Sequence, residues 1–300
     1  MLNDFIKISD LTKDEITSLM DVAADFKKGV KDSSVKGKTV CLMFFENSTR
    51  TKISFEMAAK NLGMRVINFD NATSSVNKGE SLKETVENLY FIGIDAVVIR
   101  TSDENLISDL KQKTTYPIKF VNAGSGKASH PSQALLDYFT MKEKFGNVEG
   151  KKITIVGDIE HSRVAKSNIE LLSKFGASVF VCAPEYFKPQ TMPKGAVFIG
   201  ELKEAIADAD VIMGLRIQRE RIKEAYSEEE YINNYRLNSK LLETYAPKAM
   251  LMHPGPVNRD VELTSELLDS EKGRTILEQA RNGVYTRMAI LNQLLGEGQI

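Results

Sequence analysis

Short, mainly apolar runs that alternate with amphipathic stretches are the feature that most constrains how this chain folds. The runs are continuous rather than alternating, as expected for strands whose two faces are both covered. They lie at residues 40–45, 65–69, 96–100, 118–122, 153–157, 179–183, 196–199, 211–215 and 250–252. Strands separated by helices pair in parallel through right-handed crossovers. The pattern therefore predicts an α/β protein built on parallel sheets.

Helical stretches are predicted between these runs. Residues 15–28 follow a capping box formed by Thr12 and Glu15, and residues 52–62 end at Gly63, a residue type that often terminates helices. Further helices are predicted at residues 80–91, 133–145, 163–175, 202–208 and 273–295. In contrast, the polar, charged and aromatic segment 226–242 follows the end of a strand and predicts a mobile loop near a site.

Two domains are expected from a length of 300 residues. The polar, glycine-containing segment 145–152 interrupts the alternation and precedes a fresh strand. We therefore expect the preceding helix to connect two domains. The predicted fold class is α/β, with two doubly wound parallel-sheet domains joined by connecting helices.

Composition argues against several classes of protein. With 40 basic and 41 acidic residues the net charge is -1, so general nucleic-acid binding is not expected. No apolar run reaches the roughly 18 residues of a membrane span, and no signal peptide is visible. The three histidines lie far apart in sequence, so we expect no metal site. Cys41 and Cys182 are expected to be buried free thiols of a cytoplasmic protein.

The strongest chemical signal is Ser48-Thr49-Arg50-Thr51, between a predicted strand and a predicted helix. A helix N-terminus offers unpaired N–H groups and the positive end of the helix dipole. The hydroxyl groups and the planar guanidinium add donors that suit phosphate oxygens. An ordinary helix cap explains a serine or threonine, but not an arginine between two threonines. We therefore predict an anion cradle, which is not a Walker A loop because its glycines and lysine are absent.

Other polar side chains follow predicted strand ends, where ligands bind in open α/β sheets. They are Arg100, His130 with Gln133, Arg163, Arg216 with Gln218, and His253 ahead of Pro254, Gly255 and Pro256. Several cations at such places predict a small, strongly anionic ligand. The polar loop containing Ser74 and Lys78 is, taken alone, more simply a solvated loop. The turn at residues 157–162 lacks two glycines of the dinucleotide fingerprint, which argues against a dinucleotide-binding oxidoreductase.

These motifs resemble those of the transcarbamoylase family. The Ser48–Thr51 motif resembles the family's carbamoyl-phosphate motif, and His130-Pro131-x-Gln133 looks like its second signature. Segments 215–221 and 253–256 are similar to the aspartate branch, and the His-Cys-Leu-Pro type motif expected in the ornithine branch is missing. The resemblance runs from about residue 44 to the C-terminal helix. Asn47 and Lys52 replace the commoner proline and arginine, a departure that resembles the Gram-positive-type members.

The resemblance implies roles for the matching positions. The residues that hold the phosphate of carbamoyl phosphate are Ser48, Thr49, Arg50 and Thr51. The donors to the carbamoyl oxygen are Arg100, Thr51 and His130. The groups around the carbamoyl nitrogen are Gln133 and the backbone of Pro254, Gly255 and Pro256. The residues that hold the aspartate carboxylates are Arg163, Arg216 and Gln218. The residues that enter a neighbouring subunit's site, because family members are trimers, are Ser74 and Lys78. The catalytic residues are Arg50, Thr51, Lys78, Arg100 and His130.

The implied activity is transfer of the carbamoyl group of carbamoyl phosphate to the α-amino group of L-aspartate, an early step of pyrimidine biosynthesis that needs no cofactor. Residues 1–131 and 280–300 are expected to bind carbamoyl phosphate, and residues 132–279 aspartate. Three alternatives stay open: another amine acceptor such as ornithine, a non-catalytic module that binds a phosphate ligand, and an inactive scaffold. Assembly of the homotrimer with a regulatory chain or with another enzyme of the pathway also stays open.

Overall fold

The structure is a computed structural model that describes residues 2–70, 79–222 and 226–296. The described residues divide into two compact units. The first is formed by the residues up to Leu135 together with the segment that begins at Asn282, and the second is Leu136–Arg281. Among the described residues, no helix is long and apolar enough to cross a membrane.

The first unit is built on a four-stranded parallel sheet. Its strands are β1 (Thr39–Phe44), β2 (Arg65–Asn68), β3 (Ala96–Thr101) and β4 (Lys119–Ser125). They follow the order β2-β1-β3-β4 across the sheet. The two central strands are buried almost along their whole length, as expected from their continuous apolar sequence.

Among the described residues five helices begin in this unit, and two of them start behind a side-chain cap. They are α1 (Lys13–Lys28), α2 (Thr49–Asn61), α3 (Leu82–Phe91), α4 (Leu106–Lys113) and α5 (Pro131–Phe145). The predicted capping box at Thr12 and Glu15 is confirmed, and Ser81 with Glu84 forms a second one before α3. Helix α2 begins three residues earlier than expected, so its first turn includes Arg50 and Thr51. Helix α4 was not predicted.

The second unit is built on a five-stranded parallel sheet. Its strands, in the order β7-β6-β5-β8-β9 across the sheet, are β5 (Lys152–Val156), β6 (Ser178–Cys182), β7 (Ala196–Phe198), β8 (Val211–Gly214) and β9 (Met250–Met252). Its helices are α6 (Arg163–Lys174), α7 (Leu202–Ile206), α8 (Glu228–Tyr235), α9 (Ser239–Tyr245), α10 (Ser265–Asp269) and α11 (Arg274–Leu295). Two parallel-sheet α/β units confirm the predicted fold class.

The prediction of a mobile loop at residues 226–242 is wrong, because α8 and α9 occupy this segment. Ser227 caps α8 by accepting from the Glu230 N–H, and Asn238 caps α9. Tyr231 is fully buried, with its ring centroid 6.2 Å from that of Phe187. The aromatic residues of this segment therefore anchor helices to the core.

The boundary between the units falls inside two helices, α5 and α11. Each unit also contains one cysteine in a central part of its sheet, Cys41 in β1 and Cys182 in β6. Both are buried free thiols, as predicted.

Candidate functional site

The first sheet places the start of the segment that leads to Ser48–Thr51 beside Arg100. Strands β1 and β3 are neighbours, with β2 beyond β1 and β4 beyond β3, so the strand order reverses between them. Ligands bind outside the carboxyl ends of the strands at such a switch point. Phe44, the last residue of β1, is paired in register with Arg100, and the Phe45 N–H donates to the Arg100 carbonyl at 2.8 Å.

The segment that follows β1, called here the 45–51 turn, leaves the start of α2 without a cap. Ser48 occupies the N-cap position, but its side chain makes no capping hydrogen bond, and the first turn has no acidic residue. Arg50 is exposed, and among the described residues no hydrogen bond or ion pair engages its side chain. Thr51 is buried. The free N–H groups, the dipole and the cation together suit an anion.

Arg100 lies in a polar cluster at the end of β3. Its Nε lies 3.6 Å from Glu46 Oε2, and its Nη1 donates to the Ala123 carbonyl at 3.2 Å. The same Nη1 lies 3.5 Å from His130 Nε2. A guanidinium has only donors, so His130 Nε2 is the acceptor in this contact.

His130 and Gln133 lie at the start of α5. Both are buried, at 4% and 8% exposure, and Pro131 takes the first helical position, which suits its fixed backbone angle. The structure thus brings Ser48–Thr51, Arg100, His130 and Gln133 together in one unit. Ser74 and Lys78 lie outside the described residues.

The second sheet has its own switch point, between β5 and β8. Residues 215–222, called here the cation segment, follow β8 and contain Arg216, Arg219 and Arg221. Gly157 follows β5 with a φ of +132°, and a Cβ there would lie 2.6 Å from the Leu215 carbonyl oxygen. Glycine is therefore required where these two strand ends pass each other.

The carboxylate of Asp158 holds the cation segment through a hydrogen bond. This role was not predicted. It is fully buried, and its Oδ1 accepts from the His161 backbone N–H at 3.1 Å and lies 2.8 Å from His161 Nδ1. Its Oδ2 accepts from the Gln218 N–H at 3.2 Å, while Gln218 Nε2 donates to the His161 carbonyl at 2.9 Å. Gln218 is thus held by both its backbone and its side chain. The only sequence signal was a Gly-Asp pair directly after a strand.

Arg216 forms a two-pronged ion pair with Glu220 through both terminal nitrogens, one contact being 3.1 Å from Nη1 to Oε2. Burial pushes the pKa of Glu220 up, but the hydrogen bond from Arg216 and other contacts outweigh it, so the pKa lies below its ordinary value. In the same segment Arg219 pairs with Glu228. Two of the three arginines of this segment are therefore already paired with carboxylates, while Arg221 Nη1 donates to the His161 carbonyl at 3.2 Å.

Arg163 is the first residue of α6 and is only 6% exposed. A cation at the positive end of a helix is unfavourably placed with respect to the helix dipole, and the first turn contains no acidic residue. Ser162 caps the helix by accepting from the Ala165 N–H at 3.1 Å.

The loop after β9 is fastened from inside the second unit. The Gly255 N–H donates to His253 Nδ1 at 2.9 Å, and the His253 N–H donates to Gln279 Oε1 at 2.9 Å. Gln279 and Asn168 in turn donate to the two oxygens of buried Asp137, at 2.7 and 2.8 Å. This chain of hydrogen bonds holds Pro254, Gly255 and Pro256 against α5, α6 and α11.

Glu262 is another buried carboxylate that sequence reasoning missed. It is 1% exposed and accepts hydrogen bonds from Ile217 and Asn258. Burial raises its pKa above the ordinary value, although these hydrogen bonds and the charge of Arg216 act in the opposite direction. Within the described ranges, no group of three or more His, Cys, Asp or Glu residues could hold a metal ion.

Comparison with protein families divides the chain at nearly the same place as the structure does. Residues 3–143 match the aspartate/ornithine carbamoyltransferase, carbamoyl-P binding domain, and residues 149–294 match the aspartate/ornithine carbamoyltransferase, Asp/Orn binding domain. The chain belongs to the aspartate/ornithine carbamoyltransferase family. Both carbamoyltransferase domains are thus present, with the carbamoyl-P binding domain first in the chain.

Solved structures of this family include similar enzymes from both branches. Aspartate transcarbamoylase from Trypanosoma cruzi, in complex with carbamoyl phosphate and aspartate, is 28% identical with a TM-score of 0.85, covering 97% of this chain and 96% of that one. Ornithine carbamoyltransferase from Pyrococcus furiosus is 28% identical with a TM-score of 0.87, covering 99% and 98%. The enzyme from Thermus thermophilus, also an ornithine carbamoyltransferase, is 26% identical with a TM-score of 0.86, covering 98% and 99%. Overall similarity does not distinguish the acceptors, so the choice depends on local chemistry.

Proposed function

We propose that this carbamoyltransferase uses L-aspartate as its acceptor and converts it, with carbamoyl phosphate, to N-carbamoyl-L-aspartate and phosphate. The observation that carries the proposal is the guanidinium of Arg216 directly beyond β8, at the switch point of the second sheet. Arg163 and Gln218 add donors in the same unit. A dicarboxylate acceptor needs such donors, whereas the side chain of ornithine is itself a cation and needs an anionic partner.

The position of Glu220 is the observation that favours ornithine as the alternative acceptor. Its carboxylate lies against Arg216 and is 56% exposed, so an amine could approach it. However, the ion pair engages only the two terminal nitrogens of a guanidinium that has five N–H donors in all. Donors therefore remain for a substrate carboxylate, and aspartate stays the proposed acceptor.

The proposed step needs little covalent chemistry from the protein. The amine nitrogen bonds to the carbonyl carbon, the bond from that carbon to the phosphate oxygen breaks, and the amine loses a proton, for which the phosphate itself is a candidate base. Negative charge grows on the carbonyl oxygen and on the departing phosphate. Donors fixed at those two places stabilise the transition state, and one such donor is worth about 3–4 kcal/mol. Holding the two reactants in place lowers the barrier further.

The proposed roles around carbamoyl phosphate fall in the first unit. The residues that hold the phosphate are Ser48, Thr49, Arg50 and Thr51. The residues that donate to the carbamoyl oxygen are Thr51, Arg100 and His130. For His130 this role requires a proton on Nε2, whereas Nε2 accepts from Arg100 here. The ring must therefore leave Arg100 and carry a proton on Nε2 before it can donate to the carbonyl oxygen. Gln133 accepts from the carbamoyl nitrogen.

The remaining proposed roles complete the substrate sites. The residues that hold the aspartate carboxylates are Arg163, Arg216 and Gln218, and the groups that accept from the carbamoyl nitrogen lie in the backbone at Pro254, Gly255 and Pro256. Ser74 and Lys78 act in the site of a neighbouring subunit of a homotrimer, where a lysine charge would favour the departing phosphate. The reaction supplies pyrimidine synthesis in the cytoplasm, in an enzyme of the Gram-positive type.

One assay tests the proposed function against its alternatives. The purified chain is given carbamoyl phosphate with L-aspartate or with L-ornithine, and the ureido product and the phosphate are measured. We expect N-carbamoyl-L-aspartate and an equal amount of phosphate. Citrulline as the main product would establish the alternative acceptor, and binding of carbamoyl phosphate without either product would indicate a non-catalytic module or an inactive scaffold.

A further inference from the structure

The carboxylate of Glu262 joins two segments that the proposed function uses separately. Its Oε1 accepts from the Ile217 N–H at 2.9 Å and from Asn258 Nδ2 at 2.7 Å. Its Oε2 accepts from the Asn258 N–H at 2.6 Å. Three donors from two different segments therefore meet on one side chain that is 1% exposed.

The positions of these donors show which two segments the Glu262 carboxylate connects. Ile217 lies between Arg216 and Gln218, the two proposed aspartate ligands of the cation segment. Asn258 lies two residues beyond Pro256, at the end of the loop proposed to accept from the carbamoyl nitrogen. The same carboxylate thus holds the backbone between two acceptor ligands and the end of the carbamoyl loop.

Glu262 is itself held in place by its backbone. Its carbonyl accepts from the Leu237 N–H at 2.9 Å, and the Thr264 N–H donates to the Leu237 carbonyl at 3.0 Å. Leu237 and Leu263 are buried in the core of the second unit. A group on a locked support can fix its partners more accurately than one on a free loop.

A buried carboxylate is costly unless donors satisfy it, which limits what could replace Glu262. Burial raises the pKa of Glu262, which means that this site disfavours a negative charge. If packing alone mattered, a neutral side chain would therefore be easier to accommodate here. A glutamine offers one carbonyl oxygen and an NH₂ group, so it cannot accept from all three donors. A carboxylate is the group that matches three converging N–H donors.

We propose that Glu262 is a positioning residue that holds Arg216 and Gln218 in register with the loop at residues 254–258. The inference rests on the proposed function, because it assumes that both segments contact substrate. Glu262 touches neither reactant and acts through the Ile217 and Asn258 backbone. Its loss should therefore change substrate affinity rather than only the amount of folded protein.

The test is Glu262→Gln, with kinetics and binding measured on folded protein. We expect KM for aspartate to rise about tenfold, the change that roughly 1.4 kcal/mol produces. The Kd for succinate, a dicarboxylate without an amine, should rise equally at saturating carbamoyl phosphate. Carbamoyl phosphate alone should bind at most about threefold more weakly than to the wild type, because only its neutral contacts with the 254–256 backbone are disturbed, while its charged contacts with the 45–51 turn are not.

Two further variants make the result specific. Glu266→Gln is the matched control, because Glu266 is an exposed glutamate at the start of α10. Asn258→Ala removes one donor to Glu262 and should raise KM for aspartate about two- to tenfold, as expected for one hydrogen bond. The double variant should be little worse than Glu262→Gln alone, because both changes remove the same contact.

The outcomes separate this inference from the proposed function. If the wild type makes no N-carbamoyl-L-aspartate, the proposed function fails and this inference fails with it. If the wild type is active but folded Glu262→Gln keeps the wild-type KM and succinate Kd, only the positioning role is overturned. Should Glu262→Gln not fold, wild-type KM and succinate Kd in Asn258→Ala overturn the role instead.

Discussion

The 45–51 turn in the first unit and the cation segment in the second both place arginines beyond the carboxyl end of a central strand. They differ in what those arginines contact. Arg50 is exposed, and within the described part of the chain no hydrogen bond or ion pair engages its side chain. Arg216 is paired with Glu220, and the backbone of the two residues that follow it, Ile217 and Gln218, is held by buried Glu262 and Asp158.

The difference corresponds to what each proposed ligand demands. Phosphate is compact and highly charged, so free N–H groups, hydroxyls and a free cation are sufficient to bind it. An amino acid must be oriented as well as bound, so that its amine faces the carbonyl carbon. Carboxylates that hold the cation segment restrict the directions from which its guanidinium can donate. The first region thus provides charge, and the second provides orientation.

Removal of the unpaired cation should give the largest effect on ligand binding. We expect Arg50→Ala to weaken carbamoyl-phosphate binding by about 1.5–3 kcal/mol, the contribution of a hydrogen bond to a charged group, which corresponds to roughly 10- to 150-fold in Kd. Its unfolding midpoint in urea should not change, because Arg50 supports no described contact. Calorimetry measures the Kd. Arg65→Ala, an exposed arginine of the same unit, is the control and should bind normally.

Replacement of the buried Asp158 carboxylate should lower the stability of the protein, which Arg50→Ala should leave unchanged. Asp158→Asn keeps one acceptor oxygen but directs an NH₂ group at a donor, so we expect the second unit to lose about 1–3 kcal/mol of stability. Gln218 should also lose its fixed position, and KM for aspartate should rise. Urea denaturation and steady-state kinetics measure the two effects.

Asp210→Asn is the matched control for Asp158→Asn, since Asp210 holds the Lys152 N–H at the opposite end of β5 and its side chain is 32% exposed. A smaller loss is expected because water can replace its contacts. Equal losses in the two variants would show that burial of Asp158 has no special effect on the cation segment.

Arg216→Lys tests whether the orientation of aspartate depends on the planar, forked guanidinium group. Lysine keeps the charge but cannot donate two parallel hydrogen bonds to a carboxylate. We expect KM for aspartate to rise about tenfold while carbamoyl-phosphate binding stays constant. Arg219→Lys changes an exposed ion pair of the same segment, and such pairs contribute little. A near-normal KM in Arg216→Lys would contradict the assignment of Arg216 to the aspartate carboxylate.

The smallest effect is expected from ionisation of the two cysteines, one in each unit, which should change stability only at high pH. Burial raises the pKa of the Cys41 thiol from 9.0 to about 11. Burial, together with the charge of Glu201, raises the pKa of Cys182 from 9.0 to about 12. Unfolded thiols ionise near pH 9 while folded ones keep their protons, so the stability they contribute is present below pH 9 and is lost as pH rises through 11 and 12.

Labelling with a thiol reagent at pH 8 measures the opening of each unit in single-cysteine variants. Both thiols should react far more slowly in native protein than in urea, because reaction requires exposed thiolate. If Cys41 and Cys182 react at native rates that differ, the two units open independently. Rapid reaction of either thiol in native protein would contradict its burial.

Sequence reasoning located the strands and the donor-rich motifs because both are local signals. Continuous apolar runs mark buried strands, and Ser48–Thr51 lies in a single turn. It missed the carboxylates that hold the cation segment, because their partners are distant in sequence. Asp158 and Gln218 are 60 residues apart, and Glu262 and Ile217 are 45 apart.

The helices α8 and α9 were missed for a related reason. Their sequence is polar and charged, which is typical of exposed loops, and only a few apolar side chains hold them to the core. Leu242 is buried in a core cluster formed mainly by residues from other parts of the second unit, and Tyr231 is buried next to Phe187. Tertiary packing therefore determines that this segment is helical, which its local composition does not indicate.

The interruption of the first unit by the second affects the order in which a ribosome-bound chain can fold. Residues 136–281 are continuous, so the second unit has all its sequence once its last residue has been synthesised. The first unit must wait for the part of α11 that begins at Asn282, because Asn282 accepts from Lys27 Nζ at 2.8 Å and Asn292 from the Ser34 N–H at 3.1 Å. We therefore expect the half that begins later in the chain to reach its native state first, while the earlier half is still incomplete on the ribosome.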